Sequence, residues 1–338
     1  MLYTMLIFNI ERLFLRHHHL PYLDRKKLQI PSHHSTSMCT FAVNETINHY
    51  IQGGSDVYCI LLDGSRVFDR VQYVMLFHSL IEKGICPVVC RFLVFLYTSQ
   101  CIHVKWCNTL SDPCSILNGV KQGGVMSPIL FSVYIDGLLV RLHDQGVGCR
   151  VEDVFLGAFA YADDLILLAP TLYATKSMLR VCEKFANEFS VTFNASKSKL
   201  IIRCKNISNC NFTPLLSFMN GNIEVVQSEK HLGNITGNVN QANIVQNIVN
   251  ELKTKTNMVK FKFKNLPPHV MYSLFKTHCM ALYGSQLLDL SNFRAISCLF
   301  VAWRKAIRYI LGLPSRTHSR LLHLICHDHP IEHQMHCR

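Results

Sequence analysis

The stretch FLGAFAYADDLILLAP, Phe155 to Pro170, sets two adjacent carboxylates, Asp163 and Asp164, between two apolar runs. Charges in such a place are costly unless they bind something. The pattern reads as strand, tight turn at Ala162 to Asp164, strand. A second apolar run of strand length, DVYCILLD, also ends in a carboxylate, Asp63. Asp63 and the pair are far apart in the chain, yet each ends or turns an apolar strand, which is how a sheet brings acids to one edge. Three acids gathered without cations repel one another and hold their protons more tightly. A divalent metal removes that penalty. Hard oxygen donors suit Mg²⁺, and a two-metal site activates the attacking oxygen and stabilises the leaving one in phosphoryl transfer.

Composition narrows the alternatives. The 338 residues, 49% hydrophobic and 17% charged, exclude a disordered chain and leave room for one large domain or two to three smaller ones. The best membrane-span candidate, PVVCRFLVFLYTSQC, is short and carries Arg91 in its middle. The apolar start, MLYTMLIFNIERLFLRHHHL, is interrupted by Glu11 and Arg12 and has no small-residue cleavage site, so no signal peptide is expected. A formal net charge of +12 favours a polyanionic partner. Fifteen cysteines without a single CxxC pair point away from a zinc ribbon or a disulfide framework and towards a reducing intracellular compartment.

Along the chain, Ser37 or Thr40 is a candidate cap for a helix running towards Tyr50 and ended by Gly53-Gly54. After Asp63, Val71, Val74, Phe77 and Ile81 recur at helical spacing, and Gly84 stops the run. CIHVKW alternates like a strand. Ser127 before Pro128 reads as a cap, predicting a helix from Pro128 to about Leu142. ATKSMLRVCEKFANEFSVTF reads as a helix leading into a strand. The order predicts an α+β layer, an antiparallel sheet with helices on one face, followed from about residue 239 by a basic helical zone.

Taken together, these segments resemble the reverse transcriptases of LINE-type, non-LTR retrotransposons. ILLDGSRVFDRV looks like motif A, NGVKQGGVMSPILFSVYIDGL like motif B, AYADDLILLA like motif C, VTFNASKSK like motif D and KHLGNI like motif E, in the family's order. The resemblance runs from Ser35 to Gly233. FKTHCMALYGSQLL and AWRKAIRYILGLP look like the region C-terminal to the polymerase in animal elements of this kind. The resemblance implies a right-hand polymerase with a fingers remnant at 1–55, a palm at 56–238 and a helical thumb and connector at 239–338. It also implies an RNA-directed DNA polymerase that uses an RNA template, a DNA primer and deoxynucleoside triphosphates, with no membrane. The expected setting is a ribonucleoprotein of nucleus and cytoplasm.

Position by position, Asp63 and Asp163 resemble the palm's metal-binding carboxylates, and Asp164 their less indispensable neighbour. The implied cofactor is two Mg²⁺ ions, or Mn²⁺ in their place. Phe68 matches the steric gate beneath the sugar. Gln122, Gly123 and Gly124 match the loop that positions the templating base and incoming nucleotide. Lys197 resembles the motif D lysine near the leaving pyrophosphate. Tyr161 is expected to support the hairpin and contact the primer end.

The chain also departs from the family. Motif A commonly carries an apolar or small residue and then Ser-Lys-Ala-Phe after its first Asp, whereas Gly64, Arg66 and Val67 stand here. Gly64 is expected to loosen the strand end. Only 62 residues precede Asp63, fewer than the family's fingers require, so a shortened copy is expected, with an inactive nucleic-acid-binding relic as the alternative reading. A viral RNA-dependent RNA polymerase would want a residue that accepts a ribose at the gate, and Phe68 argues against it. In the last third, Ile244, Ile248 and Leu252 form a stripe followed by Lys253, Lys255, Lys260, Lys262 and Lys264, a face suited to duplex phosphates. The terminal CHDHPIEHQMHC fits no standard zinc spacing and reads as a polar chain end.

Overall fold

The computed structural model describes residues 36–65, 67–204, 214–280, 288, 293–330 and 332–333. Readings that concern residues 1–35, Arg66, most of ALYGSQLL, and His336 and Cys337 lie outside the described residues. The chain divides into two compact units: Ala42–Val226 belongs to the first, and Thr36–Phe41 with the part from Gln227 onward belongs to the second.

The first unit is organised around β1 (Val57–Asp63), whose unbroken apolar run suits a strand buried on both faces. It is flanked by β2 (Ala158–Tyr161), β3 (Asp164–Ala169), β4 (Lys199–Arg203), β5 (Leu216–Phe218) and β6 (Gly221–Val226), in the order β5-β6-β4-β1-β3-β2. β1 pairs antiparallel with β3 on one side and β4 on the other, while β4 and β6 run parallel.

Side chains alternate across these strands. On one face Ile60, Leu62, Leu165, Leu167 and Leu200 pack with α2 (Tyr73–Glu82), α3 (Pro87–Thr98), α4 (Ser127–Asp144) and α5 (Leu172–Phe189), through residues such as Leu76, Leu93, Phe131 and Phe185. On the other face Val57, Cys59, Leu61, Ile166, Leu168 and Ile201 form a smaller cluster with Val43 and Ile47 of α1 (Thr36–Gln52). The main helical layer thus occupies one face, and α1 covers part of the second.

Several local expectations are corrected. The buried stripe of α2 is Tyr73, Leu76, Phe77 and Leu80, whereas Val74 and Ile81 are 79% and 61% exposed. Val71, though buried, lies before the helix, between it and a 3-10 turn at Phe68–Arg70. CIHVKW is not one strand. Cys101–Ile102 and Lys105–Trp106 belong to separate two-residue ladders, and without a packed face there is nothing to extend them. Ser127 is the first residue of α4 rather than its cap, and its hydroxyl donates to the Lys121 carbonyl at 2.5 Å. Ser37 and Thr40 both lie inside α1, and Thr40 donates to the Thr36 carbonyl. VTF after α5 contributes only a single bridge, Phe193 to Gly64.

The second unit holds the hairpin β7 (Ser228–His231) and β8 (Asn234–Gly237) and the helices α6 (Gln241–Lys262), α7 (Pro268–Cys279), α8 (Phe293–Leu311) and α9 (Ser319–Cys326). Val245, Ile248, Val249 and Leu252 of α6 pack with Phe275, Leu299, Trp303 and Ile307. Ile248 and Leu252 of the expected stripe are buried there, and Ile244 is partly so. No helix among the described residues is long and apolar enough to cross a membrane.

Candidate active site

The ladder decides where the acids meet. Asp63 is the last residue of β1, Asp164 the first of β3, and the two are direct partners across the antiparallel pair. The turn itself is only Ala162 and Asp163, because Asp164 already pairs with Tyr161. Ala162 has φ 53, the left-handed region that a residue with a Cβ enters at a cost. This tight strained turn leaves Asp163 at its tip, while Asp164 and Tyr161 are half-buried.

The carboxylates feel one another. Burial, first, and then the charges of Asp163 and Asp63 push the Asp164 carboxyl up to about 6. The nearest cation to Asp63 in an ion pair is Lys197, whose Nζ stands 3.9 Å from Asp63 Oδ2. Strand order, rather than closeness in sequence, therefore assembles Asp63, Asp163, Asp164 and Lys197.

A second group forms around the chain that leaves Asp63. The Phe68 ring stacks on Phe131 with centroids 4.4 Å apart, and it packs against the main core while keeping part of its surface open. The motif B loop is tied to this turn: Val120 N–H donates to the Phe68 carbonyl at 2.8 Å, and Gly119 N–H to the Val71 carbonyl at 2.9 Å. Gln122 Nε2 donates to Asp69 Oδ1 at 3.0 Å. Gly123 has φ 77, and a Cβ on Gly124 would lie 2.7 Å from Ser127 Oγ and 3.0 Å from the Lys121 carbonyl, so both glycines are demanded by the loop.

Sequence reading missed two participants. Asn194 N–H donates to the Asp63 carbonyl at 2.9 Å, and Asp63 N–H donates to Ser198 Oγ at 3.2 Å. The available signal was Asn194 followed by serines, the composition of an Asx turn. Gly64, expected to loosen the strand end, instead extends it through the bridge to Phe193, and Ser65 N–H donates to the Thr192 carbonyl at 2.8 Å.

Among the described residues no three His, Cys, Asp or Glu side chains converge closely enough to hold an ion. In donor type and charge, the three acids nonetheless fit a hard divalent cation: oxygen-only ligands whose mutual repulsion is expressed at Asp164.

Residues 10–265 match the family model described as Reverse transcriptase (RNA-dependent DNA polymerase). The chain is 27% identical over 157 residues to the Pol polyprotein of the type-1 retrotransposable element R2 of Popillia japonica, covering 45% of this chain and 26% of that protein. It is 25% identical over 270 residues to the RNA-directed DNA polymerase from mobile element jockey of Drosophila melanogaster, covering 75% of this chain and 28% of that one. It thus spans about a quarter of the length of these relatives. Apo telomerase from Candida tropicalis superimposes with a TM-score of 0.46 at 10% identity, covering 90% of this chain and 54% of that one. With the family model matching residues 10–265 of 338, this chain belongs to the reverse transcriptase (RNA-dependent DNA polymerase) family.

Proposed function

We propose that this chain is the polymerising region of a non-LTR retrotransposon reverse transcriptase, adding deoxynucleotides to a primer 3′-OH along an RNA template. The observation that carries the proposal is the direct pairing of Asp63 with Asp164, which sets three acids at the adjoining ends of two inner strands beside Lys197. Asp63, Asp163 and Asp164 would hold two Mg²⁺ ions, or Mn²⁺, and such ions when bound activate the primer hydroxyl and stabilise the leaving pyrophosphate. The family is generally dependent on divalent metal.

The chain's own residues supply the rest. Lys197, exposed beside Asp63, provides a cation or proton at the pyrophosphate. Phe68 presents the open part of its ring to the sugar, held from behind by Phe131. Gln122, Gly123 and Gly124, tied to the same turn, take the templating base and nucleotide, and Tyr161 takes the primer end. Of the basic residues on and after α6, Lys253, Lys262 and Lys264 are exposed, whereas Lys255 pairs with Glu251 and Lys260 donates to the Ile310 carbonyl. The exposed three suit phosphate contact. The family alone suggests a ribonucleoprotein location in nucleus and cytoplasm.

Primer extension by the full chain on an RNA template, with Mg²⁺ and deoxynucleotides, tests the reading. Activity should be lost on chelation and in Asp63→Ala and Asp163→Ala, by at least about a hundredfold if each removes a charge-stabilising group. Extension that survives either substitution rejects that carboxylate.

A further inference from the structure

Strand β1 ends at Asp63, and just beyond it Gly64 is bridged to Phe193 at the start of the segment that leads to Asn194. The loop from Asn194 to Ser198 grips the Asp63 residue at both backbone groups. Asn194 N–H donates to its carbonyl at 2.9 Å, and its own N–H donates to Ser198 Oγ at 3.2 Å. Ser198 is fully buried, and both its hydroxyl, at 2.8 Å, and its N–H, at 2.9 Å, donate to the Asn194 carbonyl. Inside the loop, Asn194 Oδ1 accepts from Ser196 N–H at 3.1 Å, Ser196 Oγ at 2.7 Å and Lys197 N–H at 3.3 Å. Lys197 then sends its Nζ to within 3.9 Å of Asp63 Oδ2.

One amide oxygen therefore orders the turn that carries the cation, and one buried hydroxyl ties that turn to the backbone of the carboxylate. We infer that Asn194 and Ser198 are positioning residues that lock Asp63 and Lys197 into one rigid unit. Without them the base of the Lys197 side chain and the end of β1 would be joined only by the flanking ladder and the Gly64–Phe193 bridge, and a misplacement of about 1 Å is enough to cost a hundredfold in rate. The catalytic consequence rests on the polymerase reading; the clamp itself rests on the hydrogen bonds alone.

The chemistry of the bonds selects the variants. Those of the Asn194 side chain are all accepted at Oδ1, so an aspartate can replace it, whereas alanine removes the acceptor. Threonine keeps the hydroxyl of Ser198, and alanine does not. In the full chain, N194A and S198A should each lower kcat for primer extension by about tenfold or more with the KM for deoxynucleotide little changed, because a group placed for the transition state is lost. N194D and S198T should restore most of kcat.

Hydrogen exchange at the Asp63 amide is the second readout, independent of activity. It should accelerate at least about tenfold in S198A relative to amides at the centre of β1. Unchanged exchange, or alanine and conservative variants that lose activity equally, would overturn the inference. If the wild-type chain extends no primer, the polymerase reading fails while the exchange result still decides the clamp. Should S198A not fold, N194A carries the same exchange measurement at the Asp63 and Lys197 amides.

Discussion

Asp63 and Asp164 face each other as paired residues, one closing β1 and the other opening β3. Burial, then the charges of Asp163 and Asp63, push the Asp164 carboxyl up to about 6. A carboxyl whose folded pKa is raised stabilises the fold relative to the unfolded chain below the unfolded pKa, near 4. That contribution disappears as pH rises through about 6. Metal-free protein should therefore gain melting temperature between pH 7 and pH 5 relative to Asp164→Asn, which lacks the titrating group. Parallel melting curves across that window would count against the cluster. Added Mg²⁺ should weaken the difference by satisfying the ionised acids.

Gly64 and Val67 are a compensating pair. A Cβ on Gly64 would lie 2.8 Å from Val67 Cγ1 and 3.1 Å from the carbonyl of Asp163, so the missing side chain makes room for the larger one at 67. The commoner family pattern carries an apolar or small residue after the first Asp and Ala three positions on. Gly64→Ala alone should cost about 1–3 kcal/mol through overpacking. Combined with Val67→Ala, its cost should shrink by about 1 kcal/mol or more, a coupling read from a double-mutant cycle in denaturant. Strictly additive values would show the two departures to be unrelated.

The Phe68 ring stacks on Phe131, and part of it stays open. Phe68→Ala should lower stability by about 2 kcal/mol, less than the roughly 3–5 kcal/mol expected for a wholly buried ring. It should also raise ribonucleotide over deoxynucleotide incorporation by about tenfold or more, since each 1.36 kcal/mol of lost exclusion is tenfold in rate. A destabilised variant with unchanged sugar preference would leave Phe68 as a packing residue alone.

Lys253, Lys262 and Lys264 are exposed on or just beyond α6 and close no ion pair within it, unlike Lys255. Replacing all three with glutamine should weaken binding of an RNA–DNA duplex without sequence dependence. The slope of log affinity against log salt should fall by up to about 0.9 for each phosphate contact removed. Lys255→Gln should change binding less. Equal losses from Lys255→Gln and from the triple variant would reject the phosphate face.

What the sequence determined by itself was the identity of the parts. An apolar run ending in Asp63 and a hairpin carrying Asp163 and Asp164 are local patterns, and the ordered series of motifs named the family before any coordinates. The apolar residues Ile248 and Leu252 were legible for the same reason: helical periodicity is a property of neighbours in the chain. Tertiary structure alone decided the relations between distant segments. Val74 and Ile81 look like core residues until tertiary packing turns the Tyr73, Leu76, Phe77 and Leu80 face of α2 to the core. Gly64 looks loosening until Phe193 bridges it and Val67 fills the space above it. Asn194 and Ser198 look like loop polar residues until β4 is laid beside β1 and brings them to the Asp63 backbone. The physical reason is that strand pairing joins residues separated by about a hundred positions or more, and no periodicity within a segment encodes which partner will lie opposite.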